Sequence, residues 1–339
     1  MFESKNVYKY LGAIAVLGFA SYYGNRVKQG MSNKDENDEL IRKYLLNESP
    51  LYGMNKPKLW IHSKYEINAR SFKNGNTTDL NQPYLHQTIK TIINHCGNDF
   101  NVCLIDDKTF SKLIPDWDVN LETLSEPFRS NFREVGMLQL LYIYGGIVLP
   151  NSFICMKNVA PLFRETMVGM PFFAEEINHT NSRGTFIPSM QIMGAQKACP
   201  VIQEIIGTLK LRNKSNHFTS EHKFSGHTSE LLKAKIEENK AILVDGRAFG
   251  IKTANGKPIL LDDLMGEDFL NIDCNAYGIV IPADEVLSRS KYQWLAYLSV
   301  NELMKTKMVL TKYLKASIVD SSDEYFSVTG GEVKSVTGI

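Results

Sequence analysis

An excess of charge of either sign is the first thing this 339-residue chain lacks: 38 Lys and Arg stand against 37 Asp and Glu, for a formal net charge of +1. That balance gives no electrostatic reason to expect nucleic acid as a general partner. Cysteine is scarce as well. Cys96, Cys103, Cys155, Cys199 and Cys274 are odd in number, widely spaced and never arranged as CxxC. Most flank apolar residues, so they read as buried free thiols rather than a disulfide framework or a zinc site. Such usage suits a reducing compartment. No GxGxxG, Walker A, GxSxG or HExxH pattern occurs, and no internal repeat. Four N-x-S/T triplets, at Asn47, Asn76, Asn178 and Asn213, say little about secretion.

What is present is an ordinary globular composition, 43% apolar and 22% charged, long enough for one large or two ordinary domains. The N-terminus stands apart. Residues 10–24, YLGAIAVLGFASYYG, carry no charge, yet fall short of the roughly 20 residues of a standard bilayer crossing. Tyr8, Tyr10, Tyr22 and Tyr23 bracket the stretch as interfacial aromatics do. Lysines and an arginine on both sides leave its orientation unassigned. A cleaved signal peptide, a buried core helix and a single membrane anchor compete, and the anchor is preferred, over residues 1–28. A polar linker follows over 29–55. At the other end, residues 317–339 have no helical period and read as an extended tail, disordered alone unless a neighbouring chain holds it.

The middle alternates strand-like and helix-like segments. Lys56–His62 reads as a first strand. Pro83–Cys96 has Pro at the first helical position, apolar residues at helical spacing and Gly97 at its stop. Phe100–Ile105 reads as a strand ending in Asp106-Asp107. Phe128–Tyr144 is an apolar helix stopped by Gly145-Gly146. Ile147–Leu149, Ile242–Val244 and Gly278–Ile281 are strand-like, and Pro200–Leu211 is helical. Trp294–Lys315 is helical with a break near Ser299, where Ser299 and Glu302 form a capping box. The alternation predicts an α/β domain over residues 56–316, with helices flanking a mixed, mostly parallel sheet.

In such sheets ligands bind beyond the carboxyl ends of the strands. Asp106-Asp107 lies at one such end and the segment after Leu149 at another. Acidic pairs can hold a hard cation, but they also start turns and cap helices; the turn or cap reading is preferred for Asp106-Asp107 and for Asp262-Asp263. His62, His86 and His95 show no ligand spacing. His217, His222 and His227 recur evenly without a cysteine pair, and a polar loop is their expected setting.

Leu141-Tyr-Ile-Tyr-Gly-Gly-Ile-Val-Leu149 resembles the LYxYGGIYLD core of the GT-A-fold glycosyltransferases related to capsular polysaccharide synthesis proteins and their mannosyltransferase kin. Trp60-Ile-His62, the helix from Pro83-Tyr84 and Ile192-Met-Gly-Ala-Gln-Lys-Ala-Cys-Pro-Val-Ile202 are similar to other pieces of that family, in the same order. The resemblance implies a nucleotide-sugar cleft near Trp60, His62, Asp106, Asp107, Glu134, Gly145 and Gly146. It also implies an Asp-x-Asp after the YGG strand, which in the family binds Mn²⁺ or Mg²⁺ and through it the donor diphosphate.

This chain departs from that pattern. Pro150-Asn151-Ser152 replaces the carboxylates. An upstream Asp-x-x-Arg falls on Glu134 and Met137, and Met137 cannot do the work of a guanidinium. Tyr292-Gln293-Trp294 lacks the histidine that many relatives place before a Ser-Trp. The expectation is a glycosyltransferase-like scaffold with impaired catalysis and no cofactor, Mn or Mg entering only if an unusual site survives. Metal-independent transfer from a nucleotide-sugar, with Arg129, Arg133 or Arg183 in place of the metal, is the alternative, although a solvated surface is the preferred setting for those arginines. Anchor, tether and tail suit a structural component of a membrane-bound assembly with protein partners. Lys- and Asn-rich chains with transferases of this kind are common in large DNA viruses, so a virion or capsid-associated protein on an internal membrane, or else a host endomembrane protein, is expected.

Overall fold

The computed structural model describes residues 56–64, 82–166, 169–178, 185–214, 221–318, 325–329 and 332–336. The anchor and linker expected over residues 1–55 lie outside the described residues, as do Arg183 and His217. Among the described residues, no helix is long and apolar enough to cross a membrane.

Strands β1 (Lys58–His62), β2 (Asn101–Ile105), β3 (Gly146–Pro150), β5 (Phe172–Ile177), β6 (Phe186–Ala195) and β7 (Ile242–Val244) form one sheet in the order β2-β1-β3-β6-β5-β7. The pairs β1–β2, β1–β3 and β5–β7 are parallel, while β6 runs antiparallel to both β3 and β5. The sheet is therefore mixed and mainly parallel, with β6 alone reversed. A small second sheet pairs β4 (Phe153–Cys155) antiparallel with β8 (Gly278–Val280).

Strand alternation sorts the core into two faces. Trp60, Val148, Phe173 and Met193 point to one side. There they meet α2 (Phe128–Tyr144), α3 (Pro200–Lys214) and α4 (Glu221–Glu237). Leu59, Ile61, Ile147, Leu149, Phe172 and Ile192 point to the other, against α1 (Pro83–Cys96) and β4. Behind that layer a third cluster joins Tyr84 and Leu85 of α1 to Ile154, Ile279 and the C-terminal helices, of which the last is α5 (Val309–Ile318). Each fully buried Leu, Ile or Phe contributes about 1.5–3 kcal/mol relative to exposure, so the double-faced sheet is the main source of stability.

Local chemistry sets the element boundaries. Pro83 opens α1, where its missing N–H costs nothing, and the Gly97 N–H closes the helix on the Ile93 carbonyl at 2.8 Å. At the end of α2 the chain turns through Gly145 (φ 70) and Gly146 (φ 112). A Cβ on Gly146 would lie 2.1 Å from the Lys58 carbonyl oxygen of β1. Only glycine lets β3 start this close to its neighbour. The Ser299–Glu302 capping box is present, ahead of Val300–Lys305. Asp263 accepts the Leu260 N–H at 2.8 Å as a cap, whereas Asp262 instead faces Arg289 at 2.6 Å and Lys291 at 3.2 Å.

His222 and His227 lie on α4, not in a loop. Strands β5 and β6 were not expected from sequence, because Pro188 and Gly194 interrupt the second of them. The structure accommodates Pro188 where β6 pairs only with β5, opposite Glu175, so that the missing N–H leaves no second neighbour unsatisfied. α5 runs to Ile318, two residues past the expected end of the domain at 316. Within the C-terminal segment, β9 (Tyr325–Thr329) and β10 (Glu332–Val336) form an antiparallel pair.

Candidate functional site

A cleft of about 430 Å³ opens at the carboxyl ends of β1 and β3. His62 and Pro150, the last residues of the two strands, are register partners, and both line it. The end of β5 (Glu176, Ile177) and the reversed β6 (Ser189 to Gln191) supply a second wall, and Val280 with residues 282–285 a third. α2 contributes Ser130, Arg133, Glu134 and Met137, whose spacing puts them on one helical face.

Of the residues expected at the site, His62, Glu134, Met137, Pro150, Asn151 and Ser152 meet in this cleft. The others have supporting places. Trp60 is fully buried in mid-strand, its indole N–H donating to the Gly145 carbonyl at 3.0 Å. Gly145 caps α2 and Gly146 begins β3, at the end of the strand remote from Pro150. Asp106 caps the short turn Asp107–Thr109, accepting the Thr109 N–H at 2.9 Å.

Asp107 stands behind the cleft rather than in a cap. Its Oδ1 lies 2.9 Å from His62 Nε2, and Arg133 donates from Nε at 2.9 and 3.2 Å and from Nη2 at 2.8 Å. Burial pushes this carboxyl up, but hydrogen bonds from His62 and Arg133 outweigh it and hold the group at about 2. The His62 ring also stacks on Phe110 at 5.4 Å between centroids. Arg133 is only 5% exposed, which overturns its expected place on the solvated surface. Its position in α2, one turn from both Ser130 and Met137, is the sequence signal for its place in the cleft wall. Arg129 spends its guanidinium on the Leu121 and Leu124 carbonyls.

Glu134 behaves oppositely to Asp107. Enclosure in the cleft wall, and then the negative charge of Glu176, raise it to about 8, against a smaller opposing pull from Lys64. At neutral pH it is a protonated carboxyl, a hydrogen-bond donor. Lys64 bridges the cleft mouth to Asp284 at 3.1 and 3.2 Å. The three basic side chains lining the cleft, His62, Lys64 and Arg133, are thus each engaged by a carboxylate, and the acidic side chains of Glu176 and Glu285 also line it.

The segment after β3 is fixed. Asn151 and Ser152 are 7% and 2% exposed. Thr88 Oγ1 of α1 donates to the Asn151 carbonyl, and the Ile281 N–H donates to that of Ser152 at 3.0 Å. The segment itself offers no carboxylate to a hard cation, and among the described residues no group of three or more His, Cys, Asp or Glu side chains is placed to hold a metal.

No family model matches the chain, and no curated protein matches it. Among solved structures it is similar to the glycosyltransferase GlyE of Streptococcus pneumoniae TIGR4, at 10% identity over 78% of this chain, with TM-scores of 0.36 for the apo form and 0.38 for a second structure. The chain spans 61% of the length of GlyE. It is also similar to the PaToxG glycosyltransferase, at 12% identity and a TM-score of 0.31, covering 67% of this chain and 85% of the other. At this level of similarity, the functional reading rests on the chain's own residues and topology.

Proposed function

We propose that the chain is a glycosyltransferase-like scaffold of the GT-A type that has lost metal-dependent transfer and serves as a structural component of a membrane-bound assembly. One observation carries the reading. At the end of β3, where a metal-holding carboxylate pair is needed, Pro150-Asn151-Ser152 is neutral, and Asn151 and Ser152 are buried with their carbonyls held by Thr88 and Ile281. The charge inventory agrees. With His62, Lys64 and Arg133 each already engaged by a carboxylate, a nucleoside diphosphate would have to break one of those pairs to gain a basic partner.

Arg133 favours a second reading, metal-independent transfer, because its guanidinium borders the cleft beside His62. Its bidentate contact with Asp107 counts against that, since the face that would fork onto phosphate oxygens is occupied.

Calorimetric titration of the full chain in detergent micelles with UDP- and GDP-sugars, with and without Mn²⁺, separates the two. The scaffold reading expects no donor to bind. Micromolar binding that needs manganese overturns it, and binding indifferent to manganese moves the weight to the Arg133 reading. The anchor over residues 10–24 and the assembly role, including a place in a virus particle, have their own test. Stoichiometric recovery of the protein in purified particles supports the particle role, and recovery only in host membranes sinks it.

A further inference from the structure

Two thiols meet in the core away from the cleft. Cys96 ends α1 and Cys155 ends β4; they are 59 residues apart in sequence, with their Sγ atoms 3.7 Å apart. Both are fully buried. The backbone around them is clamped: the Cys155 N–H donates to Thr91 Oγ1 of α1 at 2.9 Å, and the Ser317 hydroxyl of α5 donates to the Cys155 carbonyl. His95, next to Cys96, in turn lies 3.0 Å from the Ser317 carbonyl. Neither sulfur can drift from the other while α1, β4 and α5 stay packed. A disulfide needs about 2.05 Å between sulfurs, and side-chain rotation from van der Waals contact is a far smaller change than moving a helix.

The two sulfurs are chemically unequal. A hydrogen bond from Cys155 pulls the Cys96 thiol down, outweighing the upward push of burial. Burial drives Cys155 well up, and the Lys157 carbonyl 3.2 Å away is a second hydrogen-bond acceptor for its S–H. One member is thus the readier thiolate and the other a proton-bearing partner, the asymmetry that attacking and resolving thiols need.

We propose that Cys96 and Cys155 are a modification site, at which an oxidant of the peroxide class, small enough to enter the core, joins α1 to β4 through a disulfide. With a peroxide, the Cys96 thiolate attacks one oxygen and the O–O bond breaks. The departing oxygen leaves as water after taking a proton, and Cys96 becomes a sulfenic acid. The Cys155 sulfur then attacks the Cys96 sulfur, the S–O bond breaks, and the hydroxyl leaves as water with the Cys155 proton. Two thiols lose two electrons and the peroxide becomes two waters.

The position of the crosslink gives it a consequence for the cleft. Cys155 follows Ser152 by three residues, and Thr88 of α1 already holds the Asn151 carbonyl. The bond would tie the floor of the cleft to α1. This inference does not depend on what the cleft binds.

The full chain in detergent micelles is exposed to a modest excess of hydrogen peroxide, acid-quenched, denatured, alkylated and peptide-mapped. The expected product is a single linked peptide pair through Cys96 and Cys155, lighter by two hydrogens than the separate peptides and reversed by dithiothreitol. Cys103 and Cys199 remain alkylatable. The oxidised protein should melt roughly 5 °C higher than the reduced one. Cys96→Ala and Cys155→Ala are made separately, so that one folded variant is enough. Either, melting as a single transition when reduced, should lose the redox dependence. Exposed Cys274 is the internal control. If it is oxidised while Cys96 and Cys155 are still both alkylated, or if crosslinks join other cysteines, the proposal is overturned.

Discussion

Arg133 holds Asp107 in a two-pronged ion pair, Nε and Nη2 reaching its two carboxylate oxygens at 2.9 and 2.8 Å. The pair ties α2 to the segment after β2, and through His62 to the end of β1. It is nearly dry, with side-chain exposures of 6% and 11%. Arg133→Met leaves the carboxylate buried with only His62 beside it, and should lower unfolding free energy by about 3–5 kcal/mol in urea. Asp107→Asn combined with Arg133→Met should recover much of that loss, because no stranded charge remains. A single-variant loss under about 1 kcal/mol would show that solvent already shares the pair.

Acid should find the same carboxylate. Asp107 is held at about 2 in the fold, below the roughly 3.9 of an unfolded aspartate. A depressed carboxyl stabilises the fold above its unfolded value and loses that contribution as pH falls through the folded one. The wild-type protein should therefore lose stability between pH about 4 and about 2, and Asp107→Asn should show a shallower slope over that window. Denaturant midpoints collected across the window provide the check.

Glu134 should act in the opposite direction. Its folded value of about 8 lies above the 4.5 of an ordinary glutamate, so the native state keeps a proton that the unfolded chain releases. Stability then falls as pH rises from about 4.5 to about 8 and levels off beyond. Glu134→Gln is neutral in both states and escapes that slope. Variant and wild type should match near pH 4. Near pH 8 the variant should lead by up to about 4 kcal/mol, since holding one proton against the solvent costs about 1.4 kcal/mol per pH unit. Parallel melts at the two pH values would decide it, and a gap that does not change with pH would refute the protonated carboxyl.

Gly146→Ala should be among the most damaging single changes in the domain. The added Cβ meets backbone oxygen at 2.1 Å, at a φ of 112. A loss of at least about 3 kcal/mol, or failure to accumulate folded protein, is expected. Gly256→Ala provides the contrast: its φ is also positive, at 79, but the nearest neighbour is a side-chain nitrogen at 3.6 Å. Backbone strain of about 1–2 kcal/mol is then the whole cost. Urea curves of the two variants separate close approach from conformational strain.

Elements with their own punctuation were legible in the sequence. Pro83, Gly97 and Gly145-Gly146 gave α1 and α2 bounds that the structure repeats, because a proline that starts a helix and a glycine that stops one act locally. β6 was not legible, since what makes Pro188 tolerable is the absence of a second neighbour there, a property of sheet order. The cleft divided along the same line. His62, Pro150, Asn151 and Ser152 could be placed because strand ends share one edge of a parallel sheet. Arg133 could not, because its partner Asp107 is 26 residues earlier and reaches it only through the fold. The Gly145-Gly146 pair, the part of the sequence with the most specific resemblance, marks how β3 starts and not where the cleft lies.

Lys58 lies at the start of β1, and His62 at its end borders the cleft. The chain before Lys58 therefore joins the domain at the pole opposite the opening. Any force transmitted through those residues pulls along the axis of a strand flanked on both sides by parallel neighbours, β2 and β3. Such a load is borne as shear across two hydrogen-bonded ladders at once, rather than peeled from an edge one bond at a time. A load applied at Lys58 thus enters the sheet at the end remote from the cleft.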